Sequence, residues 1–154
     1  GKKKTKQDMA KFKKVTYQEG QIEAVAYDAS GKETGRSKLV SASGKTKISL
    51  RPECQSLRAN GQDLCFLNID LVGENGITKS SVDQVLKVEV TGAGCLQGYG
   101  SARPNIADDF VSDQHKTFLG KSLAVIRAGY ETGCIHVKVS GEGLEPVETD
   151  ISVS

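Results

Sequence analysis

Residues 63–72 read DLCFLNIDLV, and residues 73–76 that follow read GENG. Cys65, Leu67, Ile69 and Leu71 fall at every second position, with Asn68 and Asp70 between them. Successive side chains of a β-strand leave opposite faces, so this segment predicts a strand with one face in a core and one in water. Gly73, Asn75 and Gly76 tolerate the backbone of a tight turn and mark the end of the strand as a hairpin.

The same pattern extends outward from this segment. Strands are predicted at 47–51, 63–72, 85–91, 121–128, 133–140 and 147–153, with inward sets Leu86, Val88 and Val90, then Ile135, Val137 and Val139, then Val147, Thr149, Ile151 and Val153. Gly-rich connections at Asn60-Gly61, Gly92-Ala93-Gly94 and Gly98-Tyr99-Gly100 separate them. Short strands at this spacing, with no three-turn helical pattern, predict an all-β chain whose residues 44–154 form an immunoglobulin-like β-sandwich. The longest irregular piece, 98–116 (GYGSARPNIADDFVSDQHK), exceeds an ordinary loop and is read as functional or as a structured insertion.

Residues 1–43 differ. KFKKVTY, QIEAVAYD and GRSKLVSA read as three extended runs separated by Glu19-Gly20 and by Ala29-Ser30-Gly31-Lys32. Three strands with few large apolar residues cannot close a core of their own, so 1–43 is expected to be the end of a second, truncated immunoglobulin-like unit. An unpaired strand edge there invites pairing with a second copy into a homodimer.

Charge is unevenly distributed: the chain is +2 overall, yet residues 1–14 hold seven Lys and one Asp. That stretch has one aromatic residue, Phe12, and no Arg, which favours a solvated Lys-rich edge over a nucleic-acid arm. No apolar run approaches the roughly 20 residues of a membrane helix, and no signal-peptide pattern opens the chain. Neither nucleic acid nor membrane is an expected partner. Cys54, Cys65, Cys95 and Cys134 lack the spacing of a zinc site and are expected to be reduced and scattered. That cysteine pattern tilts the expected compartment toward the cytoplasm, against a periplasmic or secreted one.

Candidate chemistry is sparse. His115 and His136 are the chain's two histidines; both are read as surface or loop residues, with no Gly-x-Ser-x-Gly to pair with. Asp108, Asp109 and Asp113 gather carboxylates in the long loop without the spacing of a calcium loop. Tyr99, Phe110 and Tyr130 are conceivable sugar platforms, but a buried or half-buried packing role is expected of each. No catalytic, cofactor-binding or metal-binding residue is therefore assigned, and no cofactor is implied.

The string YQEGQIEAVAYDASGKETGRSKLVSASG at 17–44 resembles the end of a domain of bacterial glycoside hydrolase family 2 β-galactosidases, whose pattern runs Y-x-P-G-x-L-x-A-V-A-Y-D-x-x-G-K-E and closes on T-A-G. Tyr17, Gly20, Ile22, Ala24 to Asp28 and Gly31 to Glu33 fit; Glu19 stands where the pattern has Pro, and Ser41-Ala42-Ser43-Gly44 replaces the T-A-G. The remainder is similar to the bacterial immunoglobulin-like domain that follows in those enzymes, through ISLRPE at 48–53, ANGQDLCFLNIDLVGENG at 59–76, VEVTGAGCLQGYGSARP at 88–104, DDFVSDQHKTFLGKSLAVIRAG at 108–129 and Gly143-Leu144.

The resemblance implies a non-catalytic accessory module whose parent hydrolyses O-glycosidic bonds in a separate (β/α)₈ barrel, its partner being the rest of that chain. The family's acid/base and nucleophile glutamates have no counterpart here. Two alternatives remain: a carbohydrate-binding sandwich using the 98–116 loop, and an immunoglobulin-like stalk repeat of a bacterial adhesin.

Overall fold

The computed structural model describes residues 1–6, 9–104 and 109–154, and every regular element among them is a strand. In chain order these are β1 (Gln21–Tyr27), β2 (Glu33–Val40), β3 (Lys47–Pro52), β4 (Ser56–Leu57), β5 (Leu64–Val72) and β6 (Val85–Gly92). Then follow β7 (Gly94–Gly100), β8 (Gln114–Lys116), β9 (Lys121–Ala128), β10 (Gly133–Gly141) and β11 (Val147–Val153). They make a five-stranded sheet of order β4-β11-β10-β6-β8, a four-stranded sheet of order β3-β5-β9-β7, and a separate ribbon of β1 and β2.

The two larger sheets face each other as a sandwich, and the period-two sets supply what lies between them. Cys65, Leu67, Ile69 and Leu71 of β5 are all buried, as are Ile135, Val137 and Val139 of β10 and Ala124, Ile126 and Ala128 of β9. Register fixes this arrangement: Leu67 sits opposite Ala124 and Cys65 opposite Ile126, so large and small residues alternate across the β5–β9 pair. Each large aliphatic side chain enclosed here contributes about 1.5–3 kcal/mol over exposure. A one-residue slip would turn the whole set into water.

The chain changes sheet between β6 and β7 through Ala93 alone. Ala93 N donates to Cys134 O at 2.9 Å and Gly129 N donates to Ala93 O at 2.8 Å, so the crossing is hydrogen-bonded to both sheets. Gly92 takes φ +90 there, and a Cβ on it would lie 2.1 Å from Cys134 O. Only glycine fits that position.

All six of the predicted sandwich strands are present, four with one end moved by one residue. The predicted hairpin at 73–76 is also found: Gly76 N donates to Gly73 O at 2.9 Å, and Val72 pairs with Thr78. Of the three N-terminal runs, two form strands; 11–17 does not, because it has no partner strand among the described residues. The long connection is shorter than read, since Gly98–Gly100 completes β7 and Gln114–Lys116 is β8. Both were hidden by glycines and polar residues that obscure alternation.

The β1–β2 ribbon joins the sandwich through polar contacts. Asn75 Nδ2 donates to Ser41 O at 2.9 Å, Asn75 Oδ1 accepts from Ser43 N at 3.2 Å, and Glu74 N donates to Ser43 O at 2.8 Å. Its Asp28 carboxylate accepts from Ser30 N, Ser30 Oγ and Lys32 N, which closes the 28–32 turn and holds that carboxyl below its usual range.

Candidate functional site

The outer faces of the two sheets are unlike. On the five-stranded sheet the outward positions are Lys87, Glu89, Thr91, His136, Lys138, Glu148 and Asp150, and they pair with one another: Lys87 with Glu89 at 3.0 Å, Lys138 with Glu148 at 3.7 Å, His136 with Asp150 at 2.7 Å. That face is built for water. On the four-stranded sheet the outward residues over β5 and β9 are Leu64, Phe66, Asn68 and Asp70 with Lys121, Leu123, Val125 and Arg127; Leu64, Phe66 and Leu123 are exposed apolar residues among them, and Phe66 sits opposite Val125.

On β7 the outward positions in register with Val125 and Leu123 are Gly98 and Gly100. Two missing side chains turn the strand into the floor of a groove of about 650 Å³, walled by Phe110, Phe118, Leu119, Leu123 and Val125. Phe110 lies across Gly100, whose Cβ would come 2.4 Å from the Phe110 Cδ1 atom, and Phe110 O accepts from Tyr99 N at 2.8 Å.

Leu119 is the most informative wall. Phe118 N donates to Lys121 O at 2.9 Å and Lys121 N to Phe118 O at 3.1 Å, closing a local two-residue hairpin within the crossing from β8 to β9, which lie in different sheets. Such a hairpin wants left-handed backbone at both central residues, which Asn-Gly provides. Here they are Leu119 at φ +53 and Gly120 at φ +72. A left-handed leucine costs roughly 1–2 kcal/mol, and this one is 52% exposed, so its own domain recovers little by packing.

Polar contacts hold the groove's rim in place. Asp83 accepts from Gly120 N at 3.1 Å and pairs with Arg103 at 3.5 Å, tying the start of the 101–113 connection to the hairpin. Tyr99 is fully buried beneath the floor, with its hydroxyl 3.2 Å from Ser122 Oγ, and burial pushes its phenol up to about 12. Its ring meets His115 edge-on at 5.3 Å.

His115 is thus not a surface or loop residue. It is 5% exposed on β8, and its Nε2 has no hydrogen-bond partner among the described residues. Phe110 and Tyr130 are corrected in the other direction, at 56% and 76% exposed, while Tyr99 is buried as expected. His136 is exposed on β10. Of the loop carboxylates, Asp108 lies outside the described residues; Asp109 accepts from Val111 N and Ser112 N, and Asp113 lies 3.9 Å from Lys87 Nζ. The described carboxylates of that loop therefore serve turn and pair roles.

A set the sequence reading missed is Cys134, His136 and Asp150, whose ligand-type atoms fall within 4.8 Å of one another. Register explains it, since His136 sits opposite Asp150 and Cys134 lies two residues along the same face. The His136 Nδ1 to Asp150 Oδ1 distance of 2.7 Å is a closed hydrogen bond. An ion with bonds of about 2.0–2.2 Å to each would need those atoms more than 3 Å apart. The arrangement is a solvent-exposed cross-strand pair.

Comparison with known proteins accounts for this architecture. The family model described as glycoside hydrolase family 2 C-terminal domain 5 matches residues 48–150. The chain belongs to that family. It is 28% identical over 139 residues to the β-galactosidase BoGH2A of Bacteroides ovatus, covering 90% of this chain and 16% of that protein. A crystal structure of a glycosyl hydrolase family 2 member from Bacteroides cellulosilyticus superposes with a TM-score of 0.85 at 30% identity, over 91% of this chain and 18% of that one. A β-glycosidase from Bacteroides vulgatus, at 24% identity and a TM-score of 0.79, shares the fold over 90% of this chain and 18% of its own. The D00–D0 domain of intimin, at 14% identity and 0.52, likewise shares the fold alone. The chain therefore spans about one sixth of the length of the glycosidases it matches. Family and fold together make it a non-catalytic C-terminal sandwich of glycoside hydrolase family 2.

Proposed function

We propose that this chain is the accessory module of a glycosidase of the β-galactosidase type, and that it docks on the remainder of that protein through the groove face of β5, β9 and β7. The exposed, strained Leu119 beside Phe110, Phe118 and Leu123 carries the reading. An exposed apolar groove of this kind, on the side of the sandwich away from the mostly paired charged face, marks an interaction surface. The five-sixths of relatives' length that lies outside this chain supplies the occupant. Residues 1–43 are then the closing strands of the preceding domain, which supports their near-complete exposure in β1 and β2. A bound sugar is less well served: it would need several polar groups, and the groove offers Asn68, Ser101, Lys121 and Ser122 among apolar neighbours.

Leu123→Asp and Phe66→Asp in the parent protein are the test. Thermal unfolding of the parent is expected to split from one transition into two, while the isolated chain melts nearly as before. An unchanged single transition would refute docking through this face. Hydrolysis of β-galactosides by the parent supports the enzyme type; glucuronide or mannoside turnover without galactoside turnover overturns it. The isolated chain is expected to self-associate through the β1–β2 ribbon, and a strict monomer across concentration in sedimentation would count against that.

A further inference from the structure

The β3–β5 ladder pairs Lys47 with Val72 and runs through Pro52 with Leu67. Its last bond lies just past β3, where Glu53 N donates to Phe66 O at 2.9 Å, and the chain then bends at Glu53. The bend leaves Cys54 beside Cys65, so two of the four cysteines are neighbours in space. On β5 the alternate residues point their backbone the other way: Ala128 N donates to Asp63 O at 3.0 Å and Leu71 N to Gly120 O at 2.7 Å. Cys65 shares their parity, so its backbone bonds toward β9 and its side chain is left to meet Cys54, two residues past the end of β3. A disulfide there needs Cα atoms about 4.4–6.8 Å apart.

The Cys65 thiol already reaches the Cys54 backbone. Cys65 Sγ donates to Cys54 O at 3.3 Å, and both side chains point to the inner face, Cys65 at 1% exposed and Cys54 half-buried. The segment between them is held independently. Arg58 Nε and Nη2 bind the Asp63 carboxylate at 2.9 and 3.0 Å, Asn60 Nδ2 binds it at 2.8 Å, Ala59 N donates to Ser154 O and Ser152 N donates to Gln55 O. A link across its ends would join residues whose connecting segment is already fixed.

We infer that Cys54 and Cys65 form a thiol–disulfide exchange site that accepts a small-molecule or protein disulfide and closes into an intramolecular bond. Cys54, the more accessible, loses its proton and attacks the incoming disulfide; one sulfur–sulfur bond forms as another breaks, and the first thiolate leaves and takes up a proton. Cys65, deprotonated in turn, attacks Cys54 Sγ, and the second thiol leaves. The two cysteine thiols are oxidised, the incoming disulfide is reduced to two thiols, and protons balance. Burial and the neighbouring Cys65 thiol push Cys54 up to about 12, so thiolate is scarce near neutrality and exchange quickens as pH rises. Cys95 lies in β7 opposite Arg127, and Cys134 in β10 opposite Ser152; neither has a cysteine across from it.

The chain is incubated with oxidised glutathione at mildly alkaline pH, quenched in acid, alkylated under denaturing conditions and mapped by mass spectrometry. The expected product is a Cys54–Cys65 cross-link, lighter by two hydrogens, with Cys95 and Cys134 alkylated or glutathionylated. Closing a twelve-residue ring raises Tm by roughly 5–10 °C, reversed by reductant. Cys65→Ser and Cys54→Ser, each folded by circular dichroism, leave the remaining thiol single and abolish the shift. Recovery of Cys54 and Cys65 both alkylated, from chains whose Cys95 has become a mixed disulfide, overturns the assignment. A cross-link that lowers Tm overturns it too.

Discussion

Leu119→Asn tests whether the groove is a surface kept at the expense of the domain's own stability. Leu119 occupies the first central position of the hairpin closed by Phe118 and Lys121 with φ +53, and a leucine there costs roughly 1–2 kcal/mol relative to ordinary backbone. Asparagine tolerates that conformation through short-range hydrogen bonds. The side chain lost is 52% exposed, so removing it forfeits about half the transfer energy of a buried leucine, roughly 1 kcal/mol. Asn relieves most of the strain, so the isolated chain should be unchanged or stabilised by up to about 1 kcal/mol, seen as a rise of up to roughly 4 °C in Tm. In the parent protein the same substitution removes an apolar contact at the docking face and should weaken the coupling between module and remainder. Equilibrium urea unfolding of the isolated chain, with the slope unchanged, measures the first effect; separation of thermal transitions in the parent measures the second. A loss of 2 kcal/mol or so in the isolated chain would show that Leu119 packs within its own domain, and the argument from strain would fail.

Neighbours on β5 give an internal control of the sandwich orientation. Leu67→Ala, at a fully enclosed position, should cost about 2–5 kcal/mol by urea titration, and Phe66→Ala, 39% exposed on the other face, markedly less in the isolated chain; equal losses would reverse the faces. Gly92→Ala should be among the most damaging single changes, about 2 kcal/mol or more, since both φ +90 and the Cys134 carbonyl oppose a Cβ; a Tm within a degree of the parent sequence would refute the tight crossing. His115→Phe removes a buried Nε2 without a partner among the described residues while keeping a ring against Tyr99, so calorimetry should find it neutral or stabilising. Asp63 is held well below its usual carboxyl value of 3.8 by Arg58 first and Asn60 second. A depressed folded value contributes stability that is complete above the unfolded value and lost as the carboxylate takes up its proton. Asp63→Asn should therefore lower stability at neutral pH and flatten its fall below about pH 4; an unchanged acid slope would remove Asp63 from that account.

How far the sequence carried can be judged strand by strand. β5, β6, β10 and β11 were legible because each buries one face, so apolar residues recur at every second position along most of their length. β7 was not, because Gly94, Gly98 and Gly100 stand at its visible positions and its anchor, Tyr99, sits among glycines that read as a turn. β8 was missed because it has three residues, of which the middle one is a buried histidine with charged or polar flanks. Burial of His115 is a tertiary outcome: the ring fills space between Tyr99 and Phe110, and no local pattern announces it. Phe110 and Tyr130 were misjudged for the converse reason. Large aromatics are usually enclosed, but these two lie over glycines, Phe110 across Gly100 and Tyr130 across Gly61, where the backbone offers a surface and no lid.

The residues that escaped the sequence reading are also those that shape the groove, and the coincidence has a physical cause. A domain's own core announces itself through periodicity, because each strand must satisfy the same two-sided environment along its length. A face reserved for something outside the domain need not repeat, so it appears as glycines where side chains are expected, aromatics left in water, and a leucine in a turn that wants asparagine. Leu119, Phe110 and Gly100 each break a local rule, and Leu119 does so with little gain to the sandwich that carries it. Three breaks within one groove, opposite a face whose outward charges are mostly paired, are what the proposed docking on the remainder of the protein would compensate.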